Sequence, residues 1–218
     1  MAERQEKWIR ATTEEAPEKY NIMKRYRDSI SSVLISNDRI LKRFDEMAKE
    51  IMEHYKEREF IILVVLKGAA VMFGDVYRSL IKAYENSDYD NTLFYEFVRL
   101  KSYENIESTG KVELTIDETL DFKGKEILIV EDIVDTGHSM RTLLSYLKGK
   151  EPASVKILSF ILKEGRTEFE FPIDYVGFLI PDKFVIGYGM DFNQYFRELP
   201  HLCVINKTGV EKFKVQKS

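Results

Sequence analysis

The chain has little cysteine, no long apolar run and no excess of positive charge. Its single cysteine, Cys203, cannot form a disulfide within the chain, which suits a reducing compartment. No apolar run reaches the roughly 18 residues that would span a bilayer. The first residues mix Glu3, Arg4, Glu6 and Lys7 without an apolar segment, so we expect no signal peptide. These absences predict a cytoplasmic protein without a membrane partner.

The charge balance excludes a further class of partners. Lysine and arginine total 33 against 37 aspartates and glutamates, and the formal net charge is −4. Because no global positive field exists, we expect no nucleic-acid partner, and an anionic substrate would need a local positive site. The sequence also has no G-x-x-x-x-G-K-[ST] motif, and its three histidines and one cysteine are too scattered for a zinc site.

The length and composition are those of an ordinary globular domain. The chain has 218 residues, of which 44% are hydrophobic and 32% are charged. A chain of this length can bury a hydrophobic core without the help of disulfides or a structural metal. Residues 1–25 are charged and weakly periodic. We therefore predict a partly ordered lead-in over residues 1–25 and a single domain over residues 26–218.

Helical and strand-like segments alternate along the chain. The apolar positions from Asn37 to Tyr55 follow helical spacing, and Asn37 is a plausible cap. The unbroken apolar run FIILVVL at 60–66 is typical of a strand that is buried on both faces of a parallel sheet. Further helices are expected at about 70–84 and 139–148, and further strands at 93–100, 126–130, 155–162 and 175–180. The alternation predicts the α/β class, with a mainly parallel twisted sheet flanked by helices.

The most informative segment, EDIVDTGHS, directly follows a predicted buried strand. Ligands of open parallel sheets bind beyond the carboxyl ends of the strands. The turn at 136–139 offers backbone N–H groups and a helix N-terminus to a phosphate monoester, and Gly137 lets the backbone come close. Three acids, Glu131, Asp132 and Asp135, would repel that phosphate unless the substrate brings hydroxyls, a metal and developing positive charge. Ribose with a 5-phosphate and a departing pyrophosphate brings all three.

A long polar segment runs from Lys101 to about Lys111. Loops of this length in compact domains are often functional lids. We therefore expect this segment to be mobile and to close over the ligand.

Four segments closely resemble the hypoxanthine-guanine phosphoribosyltransferases, and they lie in compatible order between about residues 37 and 210. They are VVLKGA at 64–69, RLKSY at 99–103, ILIVEDIVDTGHSM at 127–140 and VGFLIPDKFVIGYGMDFNQYFREL at 176–199. The acidic phosphate-loop motif alone would indicate only the type I phosphoribosyltransferases, whereas the last segment is specific to the 6-oxopurine branch. The resemblance implies the type I fold, with a small hood lobe formed by the N- and C-terminal segments.

The resemblance implies an activity in purine salvage. Such an enzyme transfers phosphoribosyl from 5-phosphoribosyl 1-pyrophosphate to N9 of hypoxanthine or guanine, uses Mg²⁺, and gives IMP or GMP plus pyrophosphate. The resemblance also implies a homodimer or homotetramer. Two alternatives remain: a xanthine-preferring or broader transferase, and a regulatory module of this fold that senses nucleotides or binds RNA. The acidic balance and the presence of Asp135 favour the enzyme.

For the sugar and its 5-phosphate, the resemblance implies roles for the whole acidic segment. Glu131 and Asp132 would hold the ribose 2- and 3-hydroxyls and stabilise an oxocarbenium-like transition state. Asp135 would face the purine N7 and act as general base. The 5-phosphate would be held by Asp135, Thr136, Gly137, His138 and Ser139.

The remaining implied roles concern the pyrophosphate, the purine and the metal. Lys67-Gly68, through a cis peptide, and Arg197 would meet the pyrophosphate, and Ser102-Tyr103 would belong to the closing loop. Lys163 would donate to the purine 6-oxygen, Phe184 would stack on the ring and the Val185 backbone would read the base edge. Asp191, beside the purine, would share Mg²⁺ with Glu131 and Asp132. Because Glu164 could pair with Lys163, Arg166 remains a second candidate for reading the 6-oxygen.

Overall fold

The computed structural model describes residues 8–102, 112–165 and 169–215, which form helices and strands in alternation. The strands are β1 (Ile30–Ile35), β2 (Phe60–Leu66), β3 (Phe94–Ser102), β4 (Val112–Thr115), β5 (Glu126–Val134), β6 (Ser154–Lys163), β7 (Tyr175–Ile180), β8 (Val185–Ile186) and β9 (Leu202–Ile205). The α-helices are α1 (Asn37–Tyr55), α2 (Ala69–Glu85), α3 (His138–Lys148) and α4 (Lys207–Phe213), and 3₁₀ turns span Pro17–Lys19 and Lys24–Ser29.

The larger sheet has six strands in the order β4-β3-β2-β5-β6-β7. All neighbouring pairs are parallel except β3 and β4, which are antiparallel. This arrangement confirms the predicted α/β class with a mainly parallel sheet. Because β2 and β5 lie in the middle of the sheet, their carboxyl ends meet at the same edge, where ligands of such sheets bind.

The continuous apolar sequence of β2 is explained by the helices that cover both faces of the sheet. Ile62 and Val64 pack into a core that α1 and α2 share with the sheet. Leu63 and Val65 point to the opposite face, where they join the core that contains the apolar residues of α3. Successive side chains of a strand alternate between faces, so a strand that is covered on both faces needs apolar residues throughout.

A second, smaller sheet contains three antiparallel strands in the order β1-β9-β8. It has its own core, in which Tyr26 and Phe196 pack against Phe213 of α4. Cys203 on β9 is buried in this core. The sequence pattern did not predict β1, β4, β8, β9 or α4.

The segment that precedes the first strand connects the two sheets. The backbone N–H of Ala11 donates to the Leu179 carbonyl of β7, and the Leu179 N–H donates to the Ile9 carbonyl, each over 2.9 Å. Four residues later, Glu15 exchanges two backbone hydrogen bonds with Val33 of β1. No helix among residues 8–102, 112–165 and 169–215 is long and apolar enough to cross a membrane.

Two details of the predicted elements were wrong. Asn37 does not cap α1, because it is the first residue of the helix and Ser36 occupies the cap position. The Asn37 backbone N–H donates to His201 Nδ1 over 3.0 Å, and its side-chain amide donates to the Pro200 carbonyl over 3.1 Å. The strand predicted to stop at Val130 continues to Val134, since its second half stays paired in register with β6. The acidic pair therefore lies within a strand rather than after it.

Candidate active site

A pocket of about 440 Å³ opens at the carboxyl ends of β2, β5 and β6. Most of the residues proposed from the sequence line it, although they come from segments far apart in the chain. They are Lys67, Gly68, Glu131, Asp132, Asp135, Ser139, Lys163, Phe184, Val185, Asp191 and Arg197. Lys101 and Ser102, the first residues of the predicted lid, are the last residues of β3, so the loop cannot begin before Tyr103. Residues 103–111 and Arg166 lie outside the described residues.

An acidic pair forms the floor of this pocket. Glu131 is only 7% exposed, and its carboxylate accepts a hydrogen bond from the Asp132 backbone N–H over 3.2 Å. Burial raises the pKa of Glu131 well above its usual range, and the neighbouring Asp132 carboxylate raises it further. Burial also raises the pKa of Asp132, an effect that a hydrogen bond with Glu131, backbone N–H donors and the Arg197 guanidinium oppose. Two adjacent carboxyls, one buried and one partly exposed, are suited to a ligand that brings hydroxyl donors or positive charge.

Two glycines allow the chain to pass close to the acidic pair. A Cβ on Gly68 would lie 1.6 Å from Asp132 Oδ2, so any larger residue between the end of β2 and the acid would force the Asp132 side chain to move. A Cβ on Gly189, whose φ is +95°, would lie 2.1 Å from the Gly68 carbonyl oxygen. The cis peptide joins Leu66 to Lys67, one bond earlier than the predicted Lys67-Gly68. Gly189 was not among the site residues proposed from the sequence.

At the other end of the pocket, a lysine lies between two carboxylates. The Lys163 side chain is 11% exposed, and its Nζ is 3.6 Å from Asp135 Oδ2 and 3.2 Å from Asp182 Oδ1. Sequence reasoning missed Asp182, although it stands in the quoted IPDKFV segment. Glu164, expected as a possible partner of Lys163, pairs instead with Arg10 of the N-terminal segment.

An aromatic ring stands beside this lysine. Phe184 is 54% exposed, and its ring meets Phe192 edge-on with the centroids 5.6 Å apart. Its neighbour Val185 is buried and begins β8, so the backbone that follows the ring is held by pairing with β9. The Phe184 ring is thus held by Phe192 while much of its surface is exposed to solvent. A ring placed in this way can stack on a planar ligand.

The opposite wall carries a fixed pair of charges. Arg197 Nη2 lies 2.6 Å from Asp191 Oδ1, and Arg197 Nη1 donates to the Gly189 carbonyl over 2.6 Å. The second oxygen of Asp191 accepts the Gln194 backbone N–H over 2.7 Å. These contacts hold both side chains at the rim of the pocket, where the guanidinium can meet an anion.

The turn between β5 and α3 completes the site. Gly137 has φ of +76° and precedes the first residue of α3, and Ser139 lines the pocket. Thr136 is held from both sides, because its carbonyl accepts from Arg141 Nη2 and its Oγ1 lies 3.2 Å from His138 Nδ1. A left-handed residue followed by a helix N-terminus aligns backbone N–H groups in the manner of an anion-binding turn.

The fold and the pocket define a class of protein, and a comparison with protein families gives the same class. The family model described as "Phosphoribosyl transferase domain" matches residues 33–193. This range holds the acidic pair, the phosphate turn, the lysine and the aromatic ring, but it ends before Arg197.

The relatives narrow the class to one branch. The hypoxanthine-guanine phosphoribosyltransferases of Homo sapiens and Mus musculus are each 40% identical over 190 residues, which cover 87% of this chain and 87% of each relative. The solved hypoxanthine-guanine phosphoribosyltransferase of Schistosoma mansoni in complex with IMP is 30% identical, with a TM-score of 0.77, covering 92% of this chain and 94% of that one. The chain belongs to the hypoxanthine-guanine phosphoribosyltransferase family, as the sequence motifs predicted.

Proposed function

We propose that this enzyme transfers phosphoribosyl from 5-phosphoribosyl 1-pyrophosphate to N9 of hypoxanthine or guanine. The observation that carries the proposal is the pair formed by Lys163 and Asp135, whose charged atoms lie 3.6 Å apart at the base end of the pocket. A 6-oxopurine presents an acceptor, O6, and a donor, N7–H, side by side on one edge. A lysine donor beside a carboxylate acceptor matches that edge.

The reaction at the base follows from this match. Lys163 donates to O6, and Asp135 accepts the N7 proton while N9 forms its bond to the anomeric carbon of the sugar. The bond from that carbon to the pyrophosphate oxygen breaks at the same step, and pyrophosphate leaves with the bonding electrons. Phe184 stacks on the purine, and the Val185 backbone reads the far edge of the base.

The acidic pair binds the ribose. The carboxylates of Glu131 and Asp132 accept hydrogen bonds from the ribose 2- and 3-hydroxyls. Positive charge develops on the ribose ring as the pyrophosphate leaves, and the two carboxylates stabilise that charge more in the transition state than in the substrate.

The 5-phosphate and the pyrophosphate of the substrate bind at two different walls of the pocket. The 5-phosphate lies in the turn that follows β5, where it accepts from backbone N–H groups and from hydroxyls. That turn comprises Asp135, Thr136, Gly137, His138 and Ser139. Pyrophosphate contacts Lys67, the Gly68 backbone and Arg197. We propose that Ser102, at the end of β3, and the following Tyr103 also contact it.

The oxygen ligands of the pocket fit Mg²⁺ that is shared with the substrate. Among the described residues, no three His, Cys, Asp or Glu side chains group closely enough to hold a metal alone. Mg²⁺ is commonly bound by one or two carboxylates together with substrate phosphates, and Asp191, Glu131 and Asp132 can supply those carboxylates. When bound, the ion neutralises charge on the leaving pyrophosphate. We propose these three acids as its protein contacts.

Other features of the proposal concern the molecule as a whole. We propose a cytoplasmic enzyme that acts as a homodimer or homotetramer. Residues 26–218 are proposed to form one domain, with the smaller sheet and α4 as its hood. The regulatory alternative gains no support from the relatives named above, which are all phosphoribosyltransferases by name.

A two-substrate assay tests the proposal. Isotope-labelled hypoxanthine or guanine is incubated with the protein, 5-phosphoribosyl 1-pyrophosphate and Mg²⁺, and the nucleotide is separated from the base. We expect IMP or GMP only when all components are present, and loss of product when the metal is chelated. A folded protein that binds nucleotide but forms no product would instead support the regulatory alternative.

A further inference from the structure

Three neighbouring strands bring an acid, a lysine and a second acid into one row. In the register of the sheet, Val134 of β5 pairs with Leu162 of β6, and Lys163 pairs with Ile180 of β7. Asp135 therefore follows β5 on one side of Lys163, and Asp182 follows β7 on the other. The two carboxylates approach the same ammonium from opposite sides.

The turn that carries Asp182 is tight and tied to the lysine strand. The Lys183 N–H donates to the Pro181 carbonyl over 2.7 Å, which makes a three-residue turn with Asp182 at its centre. The Glu164 N–H donates to the Ile180 carbonyl over 2.7 Å, so the ends of β6 and β7 are held together. The 3.2 Å contact between Asp182 and Lys163 thus joins two backbone segments that cannot easily separate.

The chemistry of a lysine explains why a second carboxylate matters. The ammonium has three N–H donors on a flexible four-carbon stem, and the nearly buried Lys163 has little water to hold it. The two carboxylates accept from two of these N–H groups, and the third N–H can donate to the base. When Asp135 accepts the purine proton, it loses its negative charge and its hold on Lys163 weakens. Asp182 does not contact the base in this scheme and accepts no proton from it.

We propose that Asp182 is a positioning residue that orients the Lys163 ammonium toward the 6-oxygen of the purine. This inference rests on the proposed function. It assigns Asp182 no contact with either substrate and no part in proton transfer. Its effect should therefore be confined to recognition of the base and should depend on the presence of Lys163.

Steady-state kinetics of Asp182→Asn separate positioning from a structural role. We expect KM for hypoxanthine and guanine to rise about tenfold, roughly the effect of one misplaced charged hydrogen bond, while KM for 5-phosphoribosyl 1-pyrophosphate stays within about twofold. Glu164→Gln is the matched control, because Glu164 is also an acid beside Lys163 but pairs with Arg10. It should leave both KM values unchanged. An equal rise in both KM values for Asp182→Asn would make Asp182 merely structural.

A double-mutant cycle and a ligand-free structure complete the test. In the Lys163→Gln background, Asp182→Asn should change base KM no further, because its action passes through the lysine. An undiminished effect in that background would overturn the proposal. Crystal structures should show Lys163 Nζ displaced in Asp182→Asn and in place in Glu164→Gln; an undisplaced lysine contradicts the inference even without turnover. Wild-type protein that forms no nucleotide would instead refute the proposed function.

Discussion

At the scale of single residues, the proposed chemistry depends most on Asp135. Its carboxylate lies at the base end of the pocket, 3.6 Å from Lys163 Nζ. Asp135→Asn keeps the size of the side chain and removes its basicity. We expect kcat to fall by about 10²–10⁴, the usual contribution of a positioned acid–base group, while IMP and GMP still bind. Turnover within about threefold of wild type would remove Asp135 as the general base.

Gly68 offers a second residue-scale prediction with a control in the next helix. Gly68→Ala places a methyl group where Asp132 Oδ2 lies, at 1.6 Å, so the acid must move. We expect kcat/KM to fall at least about tenfold, because displacements of about 1 Å at a reacting centre are costly. Gly74→Ala meets nothing closer than Arg78 Nη1 at 4.0 Å and lies within α2. Its activity should be unchanged, and helix propensity should raise its free energy of unfolding by about 0.5–1 kcal/mol.

The candidate site could largely be predicted from the sequence, but its side-chain pairing could not. Motifs identify which residues gather at strand ends, because the carboxyl ends of parallel strands share one edge. They do not reveal which acid pairs with Lys163. Glu164 is its neighbour in sequence, yet successive residues of an extended chain point to opposite sides. One of its two partners, Asp182, follows the next strand, β7, and Glu164 pairs with Arg10.

At the scale of elements, the beginning of α1 depends on a histidine from the loop before β9. The Asn37 N–H donates to His201 Nδ1, which can accept only while the imidazole is neutral. Burial lowers the pKa of His201 below 6.5, the value for an exposed imidazole. Protons are therefore bound less readily by the folded than by the unfolded chain. The stabilising contribution of His201 is present above pH 6.5 and is lost as the pH falls through the lowered pKa.

Chemical denaturation at two pH values tests this contact. Between pH 7.5 and pH 5.5, wild-type protein should lose more free energy of unfolding than His201→Gln, whose side chain does not titrate. The other titratable groups are the same in both proteins. The difference between the two losses of unfolding free energy therefore gives the contribution of His201. Equal losses would show that protonation of His201 does not weaken the fold.

The elements that the sequence predicted are those with local signals. β2, β7 and α1 carry periodic or unbroken apolar patterns, and the structure places them within a residue or two of the predicted bounds. The smaller sheet has no such signal. Its strand β1 pairs with β9, so that Ile30 lies opposite Ile205, and a short strand paired so far along the chain leaves no local pattern.

At the scale of the whole molecule, the N-terminal segment lies against the region that would read the base. Arg10 pairs with Glu164 beside Lys163, and Glu14 pairs with Lys183 beside Phe184. Both pairs are substantially exposed, so each should contribute less than about 1 kcal/mol to stability. Backbone hydrogen bonds to Leu179 and Val33 hold the segment on both sheets.

The choice between the two candidates for reading the 6-oxygen can be made with matched variants. Lys163→Gln should lower kcat/KM for hypoxanthine and guanine, because the charged donor is lost. The difference between these values and kcat/KM for adenine should therefore become smaller. Arg166→Gln, a change of the same kind three residues later, should leave base preference unaltered. Values of kcat/KM for the three bases decide the matter. A change of preference in the Arg166 variant alone would assign the role to Arg166.

The comparison of bases in the wild-type enzyme tests the central claim most directly. The lysine ammonium has donors and no acceptor, so it pairs with the 6-oxygen of hypoxanthine or guanine and opposes the 6-amino group of adenine. Rejection of an analogue that leaves a buried donor unpaired is strong, and we expect kcat/KM for adenine to be lower by a factor of about 10³ or more. Xanthine also carries the 6-oxygen. Activity with xanthine therefore distinguishes a broader 6-oxopurine transferase from an enzyme that is restricted to hypoxanthine and guanine. Adenine used as well as hypoxanthine would contradict recognition of the base through Lys163.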